Sequence, residues 1–413
     1  MVRFSTTILN SVLAALACAA VGLAPACRAD SINSYGIFAD HLMFFSGGVN
    51  TFEDPGVVMG SNGDMYLSGG NFGSLRGGGS LYSYSSGPRI QGDVVFGDNV
   101  MMGTFSRMTG NVHAGGDVFM RTELTGSVTA GGTVVLSDDV TGDVTAGGAA
   151  TITRLVGGSL RAGGGATLSS TVGGDLIYGP GKSLHLLPGA FVGGTIDMAP
   201  VNASPQPYHP VALPTPHSFS SGGADLFLNS SEDAMLAPGS YGTLTMVGGN
   251  DIDLTAGDYF FDKITMSGNT VNFNFDTSGG PISIFVKGSV RLNYPNMAIN
   301  GVGYNDVDPA DVGQVYWEVH DAFTADGAEM LGTVYTPYGD LTLNRGSRAT
   351  GRLIAGHDFL SDGLTFVAGS ASPAVLVPEP SSLVLAAAAA AALGVIVSRR
   401  RTFRAKRLSC ELE

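Results

Sequence analysis

Cysteine is nearly absent from this 413-residue chain: Cys18, Cys27 and Cys410 are the three, and none falls between residues 28 and 409. The span 30–380 therefore has no disulfide framework, no thiol nucleophile and no thiolate metal ligand. Charge is sparse as well, at 14%, and tilted to acid, with 21 Lys and Arg against 35 Asp and Glu. Setting aside residues 1–29 and 381–413 leaves 13 basic and 33 acidic residues, a net charge of −20. Too little base remains to neutralise a phosphate backbone, which argues against nucleic acid as a partner. The catalytic patterns G-x-S-x-G and H-E-x-x-H are also missing. Glycine is the opposite case, with 61 residues. Interior Gly costs a helix roughly 1 kcal/mol each, so long helices are disfavoured and turn-rich β structure is expected.

The two ends differ from the body. Arg3, the apolar run Ile8–Leu23 and the small residues Ala24, Ala26 and Ala29 have the layout of a secretory signal peptide over 1–29, cleaved after Ala26 or Ala29. At the other end come Pro378-Glu379-Pro380, an apolar run over 381–397, and a basic cluster led by Arg399, Arg400 and Arg401. The run is at the short end of what spans a bilayer as a helix, where about 20 residues is usual. A basic cluster beside a span stays cytoplasmic, which puts the bulk of the chain on the other side.

Taken in order, residues 371–413 resemble the PEP-CTERM sorting segment of exported bacterial proteins. The resemblance implies recognition by an exosortase-type membrane enzyme at Pro378, Glu379 and Pro380. It also implies a transient membrane anchor, then release to the cell surface or to extracellular polysaccharide.

The body repeats with a period of 16: TGNVHAGGDVFMRTEL at 109–124, TGSVTAGGTVVLSDDV at 125–140, TGDVTAGGAATITRLV at 141–156 and GGSLRAGGGATLSSTV at 157–172. Such a period is a repeat-architecture signature. Val112, Val128, Val144 and Leu160 align, and so do Ala114, Ala130, Ala146 and Ala162. Further columns are headed by Val118, Met120 and Leu124. The spacing by two points each pair to one side of a strand. Gly-Gly pairs such as Gly131-Gly132 are expected at corners, where positive φ is cheap for Gly. Each unit then reads as one coil of two or three short strands, and stacking makes the core continuous. The rhythm resembles the bactofilin-like polymer-forming β-helices, which implies self-association.

The expected fold is all-β: a parallel β-helix (solenoid) ectodomain with an N-terminal signal helix and one C-terminal transmembrane helix. Its organisation is a solenoid over 30–198 with its regular repeats at 109–172, a Pro-rich linker at 199–221, a second β-rich region at 222–370, and the sorting segment. The linker holds six prolines, which favour extended polyproline conformation. In the second region Ile282, Ile284 and Val286 alternate with Ser283, Phe285 and Lys287, and Val315, Trp317 and Val319 with Tyr316, Glu318 and His320. This region resembles the solenoids of choice-of-anchor-A surface proteins, a likeness of patterning that carries no functional residues.

Candidates for chemistry are few. Asp306, Asp308 and Asp311 crowd one segment and would suit calcium, although an Asx-rich turn explains them equally well. His320-Asp321 and His357-Asp358 invite a catalytic reading, but no nucleophile motif accompanies either. Asp251, Asp253, Asp258 and Asp262 would serve a polysaccharide lyase or hydrolase if two were paired. Thr109, Thr125 and Thr141 align as they would on an ice-binding face, but the column does not extend. The favoured function is a non-enzymatic, exported structural or adhesive protein associated with exopolysaccharide. The alternative is a polysaccharide-active enzyme on the same scaffold.

Overall fold

The computed structural model describes residues 31–369 except 48, 49, 55, 84–86, 105 and 269. The expected signal helix, the 381–397 span, Pro378-Glu379-Pro380 and Arg399–Arg401 all lie outside the described residues. Among the described residues no helix is long and apolar enough to cross a membrane.

The described chain is a parallel β-solenoid with three faces. In the repeat region, face one is built from strands such as Val112–Ala114, face two from Val118–Met120 and face three from Glu123–Thr125. Rungs pair in parallel register sixteen residues apart, Val112 on Val128, Val128 on Val144 and Val144 on Leu160. Face two follows with Val118 on Val134, Val134 on Ala150 and Ala150 on Ala166. Face three narrows to single bridges, Leu124 to Val140 to Val156 to Val172. All five aligned columns point inward and are buried, so the core is a stack of like residues rather than a mixed jigsaw.

The glycine pairs at the corner between faces one and two have a reason other than the expected one. Gly131, Gly147 and Gly163 are absent from the positive-φ glycines. A Cβ on Gly147 would instead meet the Gly131 carbonyl oxygen at 2.2 Å. At Gly131, Gly147 and Gly163 the backbones of successive rungs approach too closely for a side chain, and the constraint is inter-rung sterics.

Rung order departs from chain order. The first strand, Ile37–Ala39, pairs with Val58–Ser61 on one side and with residues 353–355 on the other. Met43–Ser46 likewise lies between Met65–Leu67 and Phe359–Asp362. The described residues thus begin in the middle of the stack. From residue 58 the rungs build outward to Ile196–Met198. The chain then crosses to the other end, and rungs from Leu226–Leu228 build back until Thr365–Ala368 closes onto Thr51–Phe52. The two β-rich regions are one solenoid with a seam, and all described residues fall in one unit. Buried Arg352 ties the seam, donating to the carbonyl oxygens of Tyr35 and Ile32 and to Asn33 Oδ1.

Residues 199–222 make the crossover and carry no helix or strand. They run along the outside of face one as a strap. Val201 lies over Gly163, Ala203 over Gly147 and Tyr208 over Gly78. Val211 packs on Tyr35 and Phe38, and Ser221 donates to Asp262 Oδ1 at 2.6 Å. Between Gly163 and Asp262 lie twelve inter-rung steps on face one, which is ~58 Å at ~4.8 Å each. The twenty residues from Val201 to Ser221 reach ~62 Å in polyproline conformation at ~3.1 Å each. The prolines therefore favour an extended backbone long enough to span the stack, where a helix at ~1.5 Å per residue would fall short.

Candidate functional site

Three places concentrate side chains that the rod itself does not need. The first lies beneath the strap. Glu318 is on the outward side of strand Val315–Val319, yet it is fully buried. Its Oε1 accepts from the His217 backbone N–H at 2.7 Å and lies 2.8 Å from His320 Nε2. Its Oε2 accepts from Tyr316 Oη at 2.8 Å and lies 2.6 Å from His217 Nδ1. Phe285 packs against the His217 ring and Phe219 against the His320 ring. Burial, then the Glu318 charge, pushes the phenols of Tyr316 and Tyr335 well above their usual range. Tyr335 Oη in turn donates to the Pro214 carbonyl at 2.6 Å. Both Glu318 oxygens are saturated, and among the described residues the hydroxyls beside them are the buried phenols of Tyr316 and Tyr335, each already spent on a hydrogen bond. The chemistry is that of a latch holding the strap.

The second place is the corner at the seam. His41 and His357 stand on adjacent rungs with ring centroids 4.4 Å apart. Their ligand atoms and that of Asp358 all lie within 4.8 Å of one another. Asp340 Oδ1 sits 2.5 Å from His357 Nδ1, and this hydrogen bond raises the His357 pKa above its ordinary value.

The third is face two, which the strap leaves bare. The outward residue at the centre of each strand forms a straight row. Leu360, Phe44, Tyr66, Tyr82, Met101, Phe119 and Val135 follow one another on consecutive rungs. Phe44, Met101 and Phe119 are each 38–39% exposed, whereas inward neighbours such as Met43 and Val118 are wholly buried. Threonines continue the row at both ends, Thr342 and Thr324 beyond Leu360 and Thr151 and Thr167 beyond Val135. A shallow recess of about 310 Å³ opens beside Met101, Phe119 and Arg121. The void in the core among Phe273, Ile284 and Trp317 is about 10 Å³, roughly the least that holds one water.

The residues singled out in the sequence scatter among these places. Asp308 caps the short helix Pro309–Val312, accepting from Ala310 N at 2.8 Å. None of Asp306, Asp308 and Asp311 belongs to the metal-competent group found among the described residues. Asp251 and Asp253 lie on face three and accept from Asn272 and Asn274 on the next rung, at 2.6 and 2.8 Å. Asp258 points out from face one and Asp262 anchors the strap. Thr109 and Thr125 pair on face three, away from the apolar row. His320 belongs to the latch and His357-Asp358 to the seam. Glu318, His217, His41 and the face-two row went unmarked in the sequence. Glu318 within an alternating strand was the one available signal, a charge flanked by Tyr316 and His320.

The class of protein these features define is a strapped, three-faced parallel β-solenoid with one open apolar face. A model of a domain of unknown function, DUF7305, matches residues 228–309. No curated protein matches the chain. Two similar solved structures are an ice-binding protein from an Antarctic biological consortium and the DUF3494 domain of ice-binding protein 1 from Shewanella frigidimarina. The first is 15% identical, covers 55% of this chain and 86% of its own, and has a TM-score of 0.17. The second is 17% identical, covers 53% and 93%, and has a TM-score of 0.18. At such scores neither likeness bears on what this chain binds.

Proposed function

We propose that this is an exported, non-enzymatic structural or adhesive protein that carries an open binding face into the exopolysaccharide around the cell. Export follows the signal-peptide layout of 1–29 and the PEP-CTERM-like segment 371–413. In this reading an exosortase-type enzyme acts at Pro378-Glu379-Pro380 and the basic cluster Arg399–Arg401 holds the anchor in place beforehand. The observation that carries the binding role is the row from Leu360 to Val135 on face two. Exposed apolar runs on a soluble rod mark interaction sites. A polysaccharide chain offers matching chemistry: C–H faces to cover Phe44, Met101 and Phe119, and hydroxyls for the flanking threonines. The mature net charge of −20 favours neutral over acidic glycans.

Self-association belongs to the same reading. The terminal rung exposes residues that elsewhere face the core, including Leu186 at 47%, Ile196 at 45% and Met198 at 57%. Solenoid ends need a polar cap to stay single. A second reading, ordered water or ice on face two, is favoured by the threonines that extend the row at fixed rung spacing.

The test is binding of the full chain to matrix polysaccharide from the producing cells, compared with a Phe44→Ser, Met101→Ser, Phe119→Ser variant. Affinity falls at least about tenfold in the variant, since a few apolar anchors carry most interface energy. Equal binding by the variant excludes face two. Release of reducing sugar by the wild type supports the enzyme alternative instead. Thermal hysteresis without polysaccharide binding supports ice.

A further inference from the structure

The corner at the seam brings two imidazoles together on adjacent rungs, beside aspartates of the kind that accept the next rung's N–H at Asp64 and Asp117. Along the repeat side the same corner holds glycine, as at Gly78, Gly97, Gly115 and Gly131. At the seam it holds two imidazoles and three carboxylates, from His41, His357, Asp40, Asp340 and Asp358. In the described ion pairs these carboxylates meet only the two histidines, with no Lys or Arg. The negative charge is thus left for a cation, and the nitrogen donors decide which kind.

We propose that His41, His357 and Asp358 bind a zinc-class divalent metal ion that staples the first rung of the solenoid to the last. Zinc takes imidazole nitrogen and carboxylate oxygen readily, while calcium and magnesium require oxygen alone. The donor atoms of the three residues already lie within 4.8 Å of one another, close enough to surround one ion with small side-chain movements. The supporting shell is in place as well. Asp340 Oδ1, 2.5 Å from His357 Nδ1, orients that ring, as carboxylates do behind metal-binding histidines. Asp358 Oδ1 also accepts from the Leu42 backbone N–H at 3.2 Å, and the His41 N–H donates to the His357 carbonyl at 3.1 Å. The rungs are therefore held in register before any metal arrives. Three protein ligands leave a fourth position for water at this exposed corner.

The location gives the site its purpose. His41 and His357 are 316 residues apart in sequence, and at the seam between their rungs the N-terminal coil meets the C-terminal stack. Elsewhere, consecutive rungs are joined covalently by a short corner. Here hydrogen bonds and packing alone hold them. An ion bound only by the closed seam shifts the equilibrium toward it by mass action.

The experiment is calorimetric titration of the metal-stripped full chain with zinc chloride, alongside hydrogen exchange. The expected result is one saturable site per chain and slower exchange of residues 37–46 and 353–362 with zinc. Magnesium gives neither effect. His41→Gln and His357→Gln abolish both, and Asp340→Asn, which leaves all three ligands, weakens binding about tenfold. Cobalt(II) is the check that does not depend on stability, because its visible bands report imidazole ligation and vanish in His41→Gln. Absence of saturable zinc binding overturns the proposal. So does zinc binding that the two histidine variants retain, or zinc binding that leaves seam exchange unchanged.

Discussion

Glu318 shows how a single side chain fastens two distant parts of the fold. It sits wholly buried with four hydrogen-bond partners, two of them from His217 on the strap. Removing the carboxylate leaves His320 and Tyr316 without their acceptor and frees the strap. Glu318→Ala is therefore expected to cost roughly 3–5 kcal/mol, the range for breaking a buried pair, measured as a fall in urea midpoint. The neighbouring phenols set a pH limit. Burial raises the Tyr316 and Tyr335 pKa values above the value near 10 of the unfolded chain. A group whose folded pKa is raised contributes stability that is fully present below its unfolded pKa and lost as pH rises through the folded one. Stability should hold to about pH 10 and fall above it. A Tyr316→Phe, Tyr335→Phe variant should show a shallower fall in urea melts between pH 8 and 11. None of this was legible in the strand pattern. Alternation separated Val315, Trp317 and Val319 from Tyr316, Glu318 and His320, and the first set proves to face the core. That Glu318 on the opposite side is buried as well depended on His217, 101 residues earlier.

At the scale of elements, the repeat was legible because stacked rungs demand the same residue at the same place. The columns headed by Val112, Ala114, Val118, Met120 and Leu124 follow from the period and are the core. The corner glycines were found for a different reason than the one that holds them. Positive φ would make Gly147→Ala a local strain. The close Gly131 carbonyl makes it a clash between rungs instead. Gly147→Ala is expected to cost about 1–3 kcal/mol, as overpacking does, and Gly181→Ala tests the distinction. Gly181 has φ +70° and nothing within 4 Å of its Cβ position, so only backbone strain acts there, and at an exposed turn. Thermal melts of the two variants should show the larger loss at Gly147. The strap was legible as an extended proline-rich segment. Its path was not, because a linker's sequence encodes its length and stiffness but not the surface it lies on.

For the whole molecule, the insertion of the N-terminal coil between the two halves was hidden, since Ile37–Ala39 pairs with a strand more than 300 residues away and no period links them. The consequence is a rod whose two ends are both internal to the chain. The rung at Leu184–Met198 presents exposed apolar residues and unpaired strand edges, a known route to association. Sedimentation of the full chain should show self-association that Ile196→Lys, Met198→Lys abolishes while circular dichroism stays unchanged. Face two was hidden for a related reason: Phe44, Tyr66, Tyr82, Met101 and Phe119 fall outside one fixed period, and only the rung registers bring them into a row. That row carries the account of function. Oxidative footprinting of the full chain with and without matrix polysaccharide tests it most directly, because Met101 reports its own exposure. The account predicts that Met101, Phe44 and Phe119 become protected while exposed Met235 and Tyr338 do not. Unchanged oxidation of the row beside protection elsewhere on the rod would contradict it.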